Sequence, residues 1–460
     1  MRSHLSPLDA AFLELEQGDD HAHTHFGWAM VFDPVGGRGR PSLEKLREQT
    51  RQRIVSTSTL RRRLSSPRVG LLSLPVWLPD PDFDVGQLIR PARLPAPGGE
   101  AELMSWLGDH FAKRLDRSLP LWEVTLLEGL EGDRWALVCK VHQCLIDGIS
   151  GACVMAALLD AEPEAVEDAT ALTDMVASLG YEEERDVLLR LRGAVGEVGS
   201  GGIDATLHPR AVTSIISRSR DMTERLVNEE LRPPPSTSLD VGSSGKRRLA
   251  SVAVPLEDVR RATRELGGDL NDFVLAVAAS GMRRLLVERG EELEQARARV
   301  SVNLQRASES LVLGNETAPI FLELPVSAAD AVHRYRQIVT ATEEMRRPLP
   351  GAETLIKAAG LPPALVQSVF ARLASAPRLF NLTVTYVPSS PIALHSLGSP
   401  MRRLIPAIPL SSGNHLGVAA ANTHDHLYLG LVADPDAVPD LDVFQTGVEE
   451  ALTDLARVAA

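Results

Sequence analysis

The stretch "VCKVHQCLIDGISG", residues 138–151, changes its structural period partway through. Val138 to Val141 read as the end of an apolar strand, Asp147-Gly148 as a sharp turn, and Ile149 to Leu159 as the start of an apolar helix. A strand, turn and helix in this order point to an α/β (α+β) architecture. At the joint stand His142, whose neutral imidazole accepts a proton, and Gln143, whose amide only donates and accepts hydrogen bonds.

Elements of the same kind flank this stretch. "HFGWAMVF" (25–32) reads as a strand, and "SLEKLREQTRQRI" (42–54) as a helix capped by Ser42. "EAELMSWLGDHFAKRL" (100–115) is a second amphipathic helix. "LWEVTLLEGL" and "DRWALVCKVHQ", separated by the turn signal "EGD", form a hairpin. Residues 161–248 change character: they are acidic at first and end in the Pro-, Ser- and Gly-rich run "LRPPPSTSLDVGSSGKRR". Beyond it "LNDFVLAVAASGMRRLLVERG" (270–290) reads as a long buried helix, and strands are expected at 299–305, 318–326, 381–387, 415–421 and 427–433. The expected organisation is therefore an N-terminal half over 1–160, a connection over 161–248 and a C-terminal half over 249–460.

Composition narrows the function classes. A chain of 460 residues is long enough for two domains. The net charge of −13 argues against nucleic acid as a partner, since phosphate binding needs a basic face. Cys139, Cys144 and Cys153 lack the spacing of a zinc site or a disulfide framework, so no metal is expected. No apolar run is long enough to span a bilayer, and the opening "MRSHLSPLDAAFLELEQGDD" lacks the pattern of a secretory signal. A cytoplasmic protein is expected. Trp77 and Leu74 in "LLSLPVWLP" read as core, with a peripheral lipid-facing patch as the alternative.

Several separated motifs, taken in order, resemble the bacterial wax ester synthase/acyl-CoA:diacylglycerol acyltransferase family, relatives of the chloramphenicol acetyltransferases and condensation domains. "LSPLDAAFLELE" (5–16) is similar to the family's opening, "SLPLWEV" (118–124) to its Pro-Leu-Trp element, and "VHQCLIDGISG" to its His-His-x-x-x-Asp-Gly motif. "LNDFVLA" (270–276) looks like its Asn-Asp element, "LGN" (313–315) has a counterpart, and "LVADPDAVPD" (431–440) is similar to its closing strand and turn.

The resemblance implies two chloramphenicol-acetyltransferase-like domains forming a pseudo-dimer with a tunnel between them. It implies acyl transfer from a CoA or carrier thioester to a hydrophobic hydroxyl or amine acceptor, with no tightly bound cofactor and with an acyl carrier protein as one partner. The motif's second histidine is the family's general base. Here that place is held by Gln143, while His142 takes the supporting place and Asp147, followed by Gly148, the structural one. Pro120, Leu121 and Trp122 would line or brace the tunnel, and Asn271 and Asp272 would stand near the site. "NLTVTYVPSSP" (381–391) departs from the family's Ser-Asn-Val-Pro-Gly-Pro, placing Tyr386 and Ser389 where Asn and Gly are usual.

Losing a general base costs about 10²–10⁴ in rate. Four compensations come into question: His25 as acceptor or orienter, His142 as base if the backbone turns it inward, a Cys144–His142 pair if the strand runs on that far, and Tyr386 as a hydrogen-bond donor. Divergent acyl transfer is the first reading. A repurposed tunnel running cyclisation, isomerisation or condensation is the second, and a non-catalytic acyl-binding protein the third.

Overall fold

The computed structural model describes residues 3–5, 7–34, 40–54, 58–65, 75–145, 158–160, 234–303, 317–346, 379–387, 392–410 and 413–458. Asp147, Gly148, Leu74, Cys153, Ser389, the stretch 313–315 and most of 161–248 lie outside them.

The first half begins with β1 (Ser3–His4), α1 (Pro7–Gly18), β2 (His25–Phe32) and α2 (Leu43–Ile54). It continues through β3 (Arg62–Leu64), β4 (Val76–Pro79), α3 (Val85–Leu88), β5 (Ile89–Arg93) and α4 (Glu100–Phe111) to the hairpin β6 (Trp122–Glu128) and β7 (Trp135–His142). The second half contains β8 (Arg248–Pro255), α5 (Leu256–Leu266), α6 (Leu270–Glu288), β9 (Ala296–Asn303), β10 (Thr317–Leu324) and α7 (Ala331–Arg346). After it come β11 (Leu382–Val387), β12 (His395–Ser396), β13 (Ser399–Ala407), β14 (Leu416–Asn422), β15 (His426–Ala433) and α8 (Leu441–Val458). Among the described residues no helix is long and apolar enough to cross a membrane.

Two six-stranded sheets organise these elements, in the orders β12-β13-β2-β7-β6-β5 and β10-β9-β11-β14-β15-β8, with a small sheet β1-β4-β3 beside them. Every residue of β2 and of β7 is buried, because both faces of the first sheet are covered. Phe26, Trp28, Met30 and Phe32 enter one apolar cluster, while Ala29 and Val31 pack with Leu103, Leu107 and Phe111 of α4 on the other face. A full side chain has no room at Gly27: a β-carbon there would lie 2.1 Å from the Phe111 ring.

The strand "SPMRRLIPA" is one that periodicity does not reveal. Its prolines and paired arginines look like a loop, yet β13 pairs antiparallel with β2 from Met401↔Phe32 to Ala407↔Gly27, with a bulge at Met401/Arg403. It therefore leaves the C-terminal stretch of the chain to complete the first sheet. Along this seam β15 runs against β13, and a β-carbon on Gly430 would lie 1.7 Å from the Pro406 carbonyl oxygen. The Tyr428 hydroxyl donates to the Arg402 carbonyl at 3.1 Å. On the other side of the seam, Gly108 of α4 faces the Arg247 carbonyl, 2.4 Å from where a β-carbon would stand.

The obstruction at Gly430 is backbone, which cannot rotate aside. Gly430→Ala should lower stability by about 1–3 kcal/mol, read as a lower urea midpoint, whereas alanine at the open Gly242 should leave the midpoint unchanged.

Candidate active site

The site is built from the last residue of β7. The strand ends at His142, whose N–H donates to the Leu121 carbonyl at 2.9 Å, and the chain then turns, with Leu145 N–H donating back to the His142 carbonyl at 2.9 Å. Gln143 N–H donates to the Thr24 carbonyl at 2.8 Å. The expected Cys144–His142 pair on one strand face is thus overturned. Cys144 lies in the turn, and it is its backbone N–H that meets His142, at 3.1 Å from Nδ1. Burial pushes the Cys144 thiol well above its ordinary range, and the Asp9 and Glu16 charges push the same way, so it is a poor nucleophile.

Both ring nitrogens of His142 are committed. With Nδ1 accepting from Cys144, the proton sits on Nε2, 3.0 Å from Thr24 Oγ1 and 3.3 Å from Glu16 Oε1. Thr24 in turn donates to Glu16 Oε1 from its hydroxyl at 3.0 Å and from its backbone N–H at 2.7 Å. Arg117 Nη2 donates to Glu16 Oε2 at 2.8 Å. Burial alone would raise the Glu16 carboxyl, but the His142, Thr24 and Arg117 contacts outweigh it and hold the group well below the usual carboxylate range. His142 is therefore an oriented, buried imidazole, with no nitrogen left for a substrate proton in this arrangement.

The candidate His25 opens β2. It pairs directly with His142 across the two strands, but its Nε2–H donates to the Phe111 carbonyl at 2.8 Å. Its Nδ1 is buried and accepts no hydrogen bond from the described residues. Its ring stacks on His23 with centroids 6.0 Å apart. Burial first, then the Lys140 and His23 charges, depress its proton affinity well below the ordinary imidazole value. His23 is lowered to about 4 by burial, with Arg247 and Arg114 adding to it. Both are packed histidines, and the Nδ1 atom of each is buried.

The Pro-Leu-Trp element braces the turn. Pro120 and Leu121 are buried, and the Trp122 indole donates to the Leu60 carbonyl at 2.7 Å while the Leu121 carbonyl takes the His142 N–H. Trp77 is core, 7% exposed. The second-half candidates sit on α6 and β11. Asp272 closes a capping box with Asp269, their carboxylates and backbone N–H groups exchanged at 2.9 and 3.0 Å. Asn271 is half-buried beside it, and the Tyr386 hydroxyl donates to Asn422 Oδ1 at 2.8 Å. Among the described residues no group of three or more His, Cys, Asp or Glu could hold a metal ion.

Sequence reasoning passed over Glu16, Thr24 and Arg117. The signal was there: Glu16 closes "LSPLDAAFLELE" and Arg117 opens the approach to "SLPLWEV", but opposite charges so far apart in the chain do not announce that they meet.

Comparison with known proteins finds matches along most of the chain. The family model "Wax ester synthase/diacylglycerol acyltransferase catalytic domain" matches residues 5–274, and "WS/DGAT C-terminal domain" matches residues 313–456. The chain is 29% identical over 468 residues to a Mycobacterium tuberculosis protein named "Probable diacyglycerol O-acyltransferase tgs1", covering 99% of this chain and 96% of that one. Among solved structures it resembles the wax ester synthase/diacylglycerol acyltransferase from Marinobacter aquaeolei VT8, with 24% identity, a TM-score of 0.67, and 99% and 100% of the two chains covered. It also resembles the first condensation domain of the calcium-dependent antibiotic synthetase, with 19% identity, a TM-score of 0.61, and 100% and 96% covered. The two-domain chloramphenicol-acetyltransferase-like fold is thereby established.

Removing the Glu16 charge should expose its weight. Glu16→Ala removes the charged acceptor that Thr24, Arg117 and His142 share and should cost about 1.5–3 kcal/mol in urea unfolding. Because the folded carboxyl lies below its ordinary value of 4.5, its contribution is present above that value and is lost as pH falls below it. Glu16→Gln should therefore flatten the acid side of the stability curve below about pH 4.5.

Proposed function

The chain belongs to the wax ester synthase/diacylglycerol acyltransferase family, and we propose that it moves an acyl group from a CoA or carrier thioester to a small hydrophobic acceptor at the His142–Gln143 turn. Family membership makes the protein an enzyme of the O-acyltransferase type. The observation that carries the local reading is the bracing of His142: Glu16, Thr24, Arg117 and Leu121 hold the turn as a reacting centre requires.

In this reading the acyl-CoA thioester is a co-substrate, and an acyl-carrier thioester is the alternative donor. The two halves, 1–160 and 249–460, with the connection 161–248, would enclose donor and acceptor in a tunnel. His142 orients the turn. Gln143 donates its amide N–H to the acyl carbonyl as negative charge develops there, a contribution that needs no titratable group. Pro120, Leu121 and Trp122 brace the chain behind it, and Asp147 and Gly148 complete the motif. Asn271, Asp272 and Tyr386 belong to the second half's side of the enclosure.

Without a proton-accepting side chain at position 143, turnover should be slow. The test is to mix purified protein with decanoyl-CoA and a panel of hydrophobic alcohols and amines, following free CoA and product mass. Acceptor-dependent CoA release is expected. Gln143→Ala should reduce it roughly tenfold to a thousandfold, the weight of one lost oxyanion donor. Release that ignores the acceptor, or is unchanged in Gln143→Ala, contradicts the assignment.

A further inference from the structure

We propose a further activity for this site, N-acylation: its preferred acceptor is a hydrophobic amine whose nitrogen is unprotonated at neutral pH. The inference rests on the acyl-transfer reading above and narrows its acceptor.

It follows from the proton acceptors that the described residues gather round the turn. His142 has Nδ1 on the Cys144 N–H and its Nε2–H directed at Thr24 and Glu16. Glu16 is 3% exposed, and its two oxygens already serve Thr24, Arg117 and His142. His25 has Nε2 on the Phe111 carbonyl, and the Nδ1 atoms of His23 and His25 are closed off from solvent. Cys144 is buried in the apolar cluster. Gln143 itself, at the reacting position, carries an amide that does not take up a proton. Among the described residues the turn is thus rich in hydrogen bonds, and the nitrogens and carboxylate oxygens named here are committed or sealed.

Alcohols and amines differ in what they ask of such a site. A hydroxyl is a weak nucleophile until a base draws off its proton during attack, and this is the roughly 10²–10⁴ that a general base supplies. An unprotonated amine attacks with its own lone pair. The nitrogen forms a bond to the thioester carbonyl carbon, giving an adduct with positive nitrogen and negative oxygen. Collapse of that adduct breaks the C–S bond, the thiolate leaves with the bonding pair, and the nitrogen's proton passes to the departing sulfur. Amide and free thiol result, with no side-chain base and no further reactant. Gln143 serves this course by donating to the carbonyl oxygen as it becomes negative.

The same logic sets the acceptor's basicity. An amine with a pKa near 8 is about one-tenth unprotonated at pH 7, whereas a lysine-like amine near 10.4 is unprotonated in only about one part in 2,500. Aromatic amines, less basic still, are suitable acceptors.

The experiment pairs two acceptors of one shape, para-hexylaniline and para-hexylbenzyl alcohol, each offered with decanoyl-CoA to the full chain and to Gln143→His. Products are quantified by mass spectrometry alongside free CoA. The parent protein should form amide faster than ester by roughly tenfold or more, while Gln143→His should raise ester formation by about 10²–10⁴ and amide formation far less. Ester formation by the parent that equals or exceeds amide formation overturns the proposal, as does a variant that raises both products alike. The parent's own amide-to-ester ratio decides the matter if the variant does not fold. Absence of both products and of CoA release from parent and folded variant alike would sink the acyl-transfer reading itself, and this proposal with it.

Discussion

The Glu16 carboxylate is the interaction on which the site depends. It receives the Thr24 hydroxyl and N–H, the Arg117 guanidinium and the His142 ring, and so ties α1, the approach to β2, the approach to β6 and the end of β7 to one buried charge. A lone buried carboxylate is costly; one with this many donors is stable in its ionised form and fixes the groups around it. The consequence at His142 is chemical as well as structural. The same bonds that orient the ring use up its nitrogens, so the histidine positions the turn instead of taking a proton from it.

Residues from both halves of the chain meet along the seam between the two sheets. β13 crosses into the first sheet while β14 and β15 remain in the second, and Ala419, Ala421 and Tyr428 pack into the first half's apolar cluster. Backbone passes so close at Gly430 and Gly108 that only hydrogen fits there. Arg247 adds a polar tie, reaching the carbonyls of His21 and Leu410 at 3.2 and 3.1 Å.

Much of this was legible in the sequence where the pattern was local. The strand at His25–Phe32, the helix at Leu43–Ile54, the hairpin ending in His142 and the strands Leu382–Val387, Leu416–Asn422 and His426–Ala433 follow from period and turn chemistry. β13 did not, because its prolines and arginines hide a strand whose pairing partner lies more than 350 residues earlier. In the site, motif order brought His142 and the Pro-Leu-Trp element to notice, and the structure joins them through the His142 N–H and the Leu121 carbonyl. The commitment of His25 to the Phe111 carbonyl and the turn at Cys144 were not readable from the sequence, since both depend on which groups folding brings within hydrogen-bond reach. Glu16 belongs with them: its role comes from three partners at separations of 8, 101 and 126 residues.

In the proposed mechanism the site orients donor and acceptor and stabilises charge, and none of the described side chains takes the acceptor's proton. The most direct measurement is the pH dependence of single-turnover acyl transfer to para-hexylaniline, an acceptor that does not titrate between about pH 6 and 9. A flat profile across that range is the expected result. A rate that climbs through a midpoint near 6.5, as an imidazole loses its proton, and that loses this inflection in His25→Gln or His142→Gln, would contradict it.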